Sequence, residues 1–303
     1  MSTDHKHSHA VSSSANIGKA FAWGIGLNSF FIATEITFGL IAGSVALIAD
    51  ATHNFSDVIG LLLSWGALIL SRRIPWGRFT YGYRSATILS VLVSTMLLFV
   101  AVGWIVWSAI GRFGKPIEVE SGVVMIVAFV GICINGFSAW LLSREQADLN
   151  VKSAFMHLLA DAAVSAGVVV AGVLIYFTGW NVIDPLVSLI ISAVILWGGW
   201  GVLRDAIKLS LNAVPDSVHL PDVRKYLEGL HGVVRVHDLH VWAMSTTETA
   251  LTAHLVMPGG DLGDAFLHQV CSELHERFNI GHATLQTEKG EGEECDLAPD
   301  TVL

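Results

Sequence analysis

Two short runs pair a histidine with an aspartate four residues on: His53 with Asp57 in "HNFSD", and His157 with Asp161 in "HLLAD". A spacing of four puts both side chains of a pair on one face of a helix. Both runs lie inside long apolar stretches. An Asp at the centre of a membrane helix costs roughly 2.5–3.5 kcal/mol on insertion scales, so two cost roughly 5–7. Groups placed so expensively face a partner, an ion or a water-filled cavity. A lone intramembrane histidine is accounted for by a hydrogen bond between helices; two matched His–Asp pairs are not. Two imidazoles and two carboxylates make a four-ligand set suited to tetrahedral zinc. Imidazole also selects zinc-like ions over magnesium, calcium and manganese, which prefer oxygen shells.

The elements that must carry these pairs are legible in the composition. Of 303 residues only 14% are charged, and the mean hydropathy is +0.60, whereas soluble proteins carry about 25% charged residues. Windows of about twenty apolar residues read as membrane helices, since backbone polar groups in lipid must be satisfied within the segment. Six such spans are expected, at 18–40, 44–71, 84–111, 121–143, 153–178 and 183–208. Arg72, Arg73, Arg78 and Arg84 follow the second span, and Arg144 and Lys152 follow the fourth. The opposite side has Arg112 and Lys115, offset by Glu118 and Glu120. Basic loops stay inside, so both termini are expected in the cytosol. The second span then runs inward and the fifth outward. At a helical rise of about 1.5 Å per residue, His53 lies roughly 14 Å below the outer end of its span, and Asp161 roughly 12 Å from the inner end of its own. Both are near the middle of a core roughly 30 Å thick. Antiparallel directions set His53 level with Asp161, and Asp57 level with His157.

From about Pro215 the texture changes. A helical segment, two alternating strands, a second helix and a last strand predict a small two-layer α+β domain in the order α-β-β-α-β. The expected division is a His-containing N-terminal segment at 1–17, a six-helix all-α membrane domain at 18–210, the α+β domain at 211–288, and an acidic, disordered tail at 289–303. The first twenty residues are too polar for a secretory signal. His5, His7 and His9 either hold metal weakly or are simply solvated. Cys133, Cys271 and Cys295 form no disulfide framework or zinc pair, and Cys133 reads as a small buried apolar residue. No basic cluster is interleaved with aromatics, which argues against nucleic acid as a partner. The H-E-x-x-H pattern of zinc proteases is absent, and both acids of the intramembrane pairs are used as ligands, so an enzyme is not expected. Asp50 shares the His53/Asp57 helix face. It and Glu35, placed near the outer end of the first span, either line the external half of a path or are boundary carboxylates bonded to neighbours. Asn135 reads as an interhelical hydrogen bond and "WGGWG" (Gly198, Gly199, Gly201) as close helix packing. In "VHDLHV" strand alternation puts His237 with Leu239 on one face and Asp238 with His240 on the other.

The approach "GSVALIADATHNFSD", the run "HLLAD" and the strand "HDLHVWAMS" resemble the cation diffusion facilitator family, nearest to its bacterial zinc exporters. The resemblance extends from about residue 17 to 288. It implies a homodimer in the bilayer of a bacterial inner membrane, six helices per protomer and a ferredoxin-like cytosolic domain. It implies export of Zn2+ from the cytosol against proton influx, with His53, Asp57, His157 and Asp161 as the transport site. Histidine at the first motif position goes with zinc preference; Cd2+ and Co2+ stay open because they accept the same shell. The positions matching His237, His254 and Glu288 supply a regulatory zinc site in some relatives. A further family histidine falls on Gln286 here, and His268 is a candidate replacement. Some relatives also bind metal in the linker after the second span; here "SRRIPWGRFTYGYR" has no Asp or His, so no site is expected there. The alternative reading is an intramembrane metal sensor or metalloenzyme built on the same four ligands.

Overall fold

The computed structural model describes residues 26, 29–114, 117–142, 149–260 and 263–290. The chain divides into two compact units, one made of 1–62 and 94–200 and the other of 63–93 and 201–303.

The helices in order are α1 (Ser29–Ile41), α2 (Val45–Ser71), α3 (Ala86–Gly114), α4 (Ser121–Leu142), α5 (Leu149–Thr178) and α6 (Ile183–Ser210). Five of them, α2 to α6, are long and apolar enough to cross a membrane. α1 is a shorter apolar helix among the described residues, and the earlier part of the expected first span lies outside them. Small residues let α2 approach its neighbours: Ala46 and Ala49, with Leu47 between them, are buried in one core with Val102 and Ile105 of α3, Val124 and Ala128 of α4, and Val168 of α5. A Cβ on Gly172 of α5 would meet Met125 Cγ at 2.6 Å, and one on Gly199 of α6 would meet Phe99 Cε2 at 2.9 Å. Gly198 and Gly201 have open space there, so of the three glycines in "WGGWG" only Gly199 marks a close contact. The outward faces carry Trp104, Trp107, Phe177 and Trp197, all exposed, as a lipid-facing surface requires. Cys133 is exposed too, against the expectation of burial.

The turn between α1 and α2 is only three residues and passes through Gly43 at φ +66°. The exposed amides at the start of α2 are capped from another helix. Asp184, in the first turn of α6, accepts hydrogen bonds from Ser44 Oγ, from Val45 N at 2.8 Å and from Ala46 N at 3.3 Å. A helix N-terminus favours an anion on its free amides. Arg112 lies 3.7 Å from the same carboxylate and donates to the Gly43 carbonyl.

The second unit has α7 (Leu220–Glu228), β1 (Arg235–Ala243), β2 (Thr249–Val256), α8 (Asp264–Phe278) and β3 (Ile280–Glu288). This is the expected α-β-β-α-β order. The sheet order is β1-β2-β3, with β1 antiparallel and β3 parallel to the central β2. Val223 and Leu227 of α7 and Val270 and Leu274 of α8 share a core with Val236, Val241, Leu251, Leu255 and Ile280 of the strands. α8 stops at Asn279, whose left-handed φ of 56° lets its N–H return to the His275 carbonyl at 3.0 Å, a common helix ending.

One expectation fails in β1. An extra residue between His237 and His240 makes a β-bulge, with Asp238 at φ 48°. His237 pairs across to His254, while Leu239 joins Val236 and Val241 in the core. A bulge reverses which side chains share a face, so His237 and Leu239 are not together. The segment between α2 and α3, in the same unit, meets the sheet region. Arg84 pairs with Glu248, Ser85 Oγ donates to the Met244 carbonyl at 3.2 Å, and Tyr81 sits edge-on to His282.

Candidate metal centres

In the helical unit, α2 and α5 bring three of the four expected ligands together. His53 Nε2 is 3.3 Å from Asp161 Oδ1 and 3.8 Å from Asp57 Oδ2. One ligand atom from each of His53, Asp57 and Asp161 falls within 4.8 Å of the others, close enough to bind one metal ion. Asp161 is buried, and His53 and Asp57 are partly exposed. His157 is in α5 four residues before Asp161; its side chain lies outside the described residues. The His53–Asp57 proximity follows from helix geometry. The His53–Asp161 proximity needs α2 and α5 to pack side by side, which the alanines of α2 permit.

Two more carboxylates lie beside this cluster. Asp50 accepts a hydrogen bond from Ser165 Oγ at 2.7 Å, and Glu35 accepts one from Asn54 Nδ2 at 3.1 Å. Both carboxylates are completely buried. Asn54 adjoins His53 in the chain, so this bond brings Glu35 of α1 against the part of α2 that carries the cluster. Sequence reasoning missed Asn54 and Ser165. The signal was available: each lies four residues beyond an acid already noted, Asp50 or Asp161, so it shares that acid's helix face.

The second cluster is on the sheet face opposite the tail core. His237 Nε2 is 3.0 Å from Glu288 Oε2, and His254 Nδ1 is 2.9 Å from Glu288 Oε1. These three also offer ligand atoms within 4.8 Å of one another. β1 supplies His237, β2 His254 and β3 Glu288, so the cluster exists only when the three strands pair in this register. Burial works against ionisation of Glu288, but hydrogen bonds from His237 and Gln286 and the two nearby imidazoles outweigh it and hold its carboxyl below the usual carboxylate range. Gln286 donates to Glu288 at 2.9 Å. His268 is exposed on α8 and is not among the three. The bulge adds a residue that alternation did not predict: Asp238 lies 3.5 Å from His254 Nε2 and 2.8 Å from His240 Nε2. His5, His7, His9 and Cys295 lie outside the described residues.

Comparison with known proteins adds independent findings. Residues 22–209 match the cation efflux transmembrane domain, and residues 215–290 match the cation efflux protein cytoplasmic domain. The chain is 35% identical over 301 residues to zinc transporter ZitB of Escherichia coli, covering 97% of this chain and 96% of that protein. It is 31% identical over 300 residues to the metal cation efflux system protein CzcD of Cupriavidus metallidurans, covering 98% and 94% of the two chains. A cadmium, cobalt and zinc/H(+)-K(+) antiporter of Bacillus subtilis is 29% identical over 264 residues, covering 85% of each.

Proposed function

This chain belongs to the cation efflux (cation diffusion facilitator) family, and we propose that it exports Zn2+ from the cytosol in exchange for protons. The family and the similar proteins are membrane transporters rather than enzymes, and the chain is a multi-pass membrane protein. The observation that carries the finer reading is His53 set between Asp57 and Asp161 inside the helical unit. With His157 these residues would complete a tetrahedral shell of two nitrogens and two oxygens. Cd2+ and Co2+ fit the same shell and are secondary cargoes in this reading.

Ligation requires neutral imidazole and ionised carboxylate, so zinc binding expels protons. Histidine is the group whose ordinary titration falls between roughly pH 5 and 8, and His53 and His157 supply that exchange. Protons arriving from outside compete for the same atoms and release the metal outward. The proposed boundaries are a transport domain at 18–210 and a cytosolic domain at 211–288, with both termini in the cytosol of a bacterial inner membrane. The cytosolic domain serves homodimerisation, as the resemblance of that region to the family's cytoplasmic domain supports. His237, His254 and Glu288 hold a regulatory zinc there, a reading supported by their mutual distances.

The test is flux in proteoliposomes containing a zinc dye and a pH dye under an imposed pH gradient. Wild type is expected to move zinc one way and protons the other, and Asp161→Ala to abolish both. Zinc that binds without moving would instead support the sensor alternative.

A further inference from the structure

Residues 72–85 join α2 to α3, and both of those helices are long and apolar enough to cross a membrane. Both ends of the segment therefore leave the bilayer on the same side, which holds it at the membrane–water boundary. It is a built turn rather than a slack loop. Phe79 N donates to the Trp76 carbonyl at 3.1 Å, and the same two residues form a β-bridge around Gly77 at φ +58°. The Phe79 and Tyr83 rings lie 4.5 Å apart. At Gly82, where φ is +70°, the Arg73 carbonyl is 3.2 Å from where a Cβ would stand, so the two arms of the turn touch. The later arm meets the sheet region. Tyr81 is edge-on to His282, Arg84 pairs with Glu248, and Thr246 N donates to Thr87 Oγ1 at 3.1 Å.

The tip and the earlier arm are laid open instead. Ile74 is 85% exposed and Trp76 81%. Arg72, Arg73 and Arg78 are exposed as well, and none of them has an acidic partner among the described residues. The chain supplies none nearby, since no Asp or Glu occurs from residue 58 to 117. Water suits the arginines but not Ile74 and Trp76; hydrocarbon suits Ile74 and Trp76 but not the arginines. The occupant of this tip must offer anions next to an apolar layer. An acidic peptide offers only the anions. A surface of anionic phospholipid offers both. Guanidinium binds phosphate oxygens two at a time, tryptophan favours the membrane interface, and basic residues beside a membrane helix are drawn to anionic headgroups.

We propose that the turn between α2 and α3 is a binding site for anionic phospholipid. Arg72, Arg73 and Arg78 hold the headgroup phosphates while Ile74 and Trp76 enter the boundary of the acyl chains. The same turn that grips the sheet region through Tyr81 and Arg84 thus grips the bilayer through its tip. This goes beyond the export reading and does not depend on it.

The test is native mass spectrometry of the full chain in detergent, titrated with phosphatidylglycerol or with phosphatidylcholine of the same acyl chains. Wild type is expected to bind phosphatidylglycerol more tightly, and less so as ammonium acetate is raised, because salt screens exposed charges. Each of Arg72→Gln, Arg73→Gln and Arg78→Gln is expected to weaken binding of the first phosphatidylglycerol about fivefold, the effect usual for one basic residue near an anionic surface, and to leave phosphatidylcholine binding unchanged. Arg204→Gln is the control: its arginine, near the end of α6, already lies 3.5 Å from Asp205, and the variant is expected to keep the wild-type preference. Equal affinity of wild type for the two lipids, or an equal loss in Arg204→Gln, would overturn the proposal. So would a preference that appears only after residues 291–303 are removed, since the acids of "EGEECDLAPD" would then be what the arginines hold. No metal enters the measurement, so its outcome and that of the zinc flux assay are read separately.

Discussion

His53 has two carboxylates for one imidazole, whereas His237 and His254 share Glu288, and His254 has Asp238 besides at 3.5 Å. The difference matters for charge. In the proposed export reading Asp57 and Asp161 carry the negative charge that meets a divalent cargo, while Glu288 is shared by the rings of His237 and His254. Glu288 also makes a pH prediction. Its carboxyl is held below the usual range by His237 and Gln286 despite burial. A depressed folded value means the folded state favours the ionised form. That contribution is fully present above the unfolded value of about 4.3 and is lost as pH falls through the lower folded value. Glu288→Gln is therefore expected to weaken the acid limb of unfolding in a 211–290 fragment, measured by circular dichroism from pH 7 to 2. A variant with an unchanged acid limb would show that Glu288 contributes no such linkage. The two clusters also differ in legibility. The i, i+4 pairs can be read from the chain because a helix makes neighbours of residues four apart wherever it sits. Asp238 beside His254 cannot, because a one-residue bulge has no clear signature in "VHDLHV" and reverses every alternation count beyond it.

Helix α2 carries His53, Asp57 and Asp50, so whatever holds its first turn holds the site. Its holder is Asp184 at the start of α6, with Ser44 and Arg112 completing the junction. Removing one N-capping side chain costs about 1 kcal/mol, and removing one partner of a buried ion pair costs about 3–5 kcal/mol. Ser44→Ala is therefore expected to lower thermal stability slightly, and Asp184→Ala to lower it several-fold more. Thermal unfolding of the purified protein in detergent checks the order; equal small effects would mean that the junction does not hold α2. The apolar character of all these helices is plain in the sequence. The trans cap is not, since Asp184 and Ser44 are 140 positions apart and only packing brings them together.

Among the described residues there are two hydrophobic cores, one among the helices and one beneath the sheet. The second belongs to a region that matches the family's cytoplasmic domain, and a homodimer is the expected assembly. Native mass spectrometry of the full chain in detergent is expected to give twice the 32.6 kDa protomer mass. A monomer at micromolar concentration would remove the dimer from the proposed function. The segment between α2 and α3 ties to the sheet region through Arg84 and Glu248, a contact between distant parts of the chain that charge counting along the linker does not reveal.

Apolar length alone is enough to predict membrane helices, because lipid leaves the backbone no other way to satisfy its polar groups. The change in alternation after Pro215 is enough to predict the α-β-β-α-β tail, because side-chain period follows backbone geometry directly. Spacing along each of two helices nominates His53 with Asp57 and His157 with Asp161. Folding adds what depends on distance across the chain: Asp161 against His53, Glu35 against Asn54, and His237, His254 and Glu288 drawn from three strands. Those contacts depend on helix packing and strand register, and a local pattern constrains neither, since each is set by the whole core closing at once.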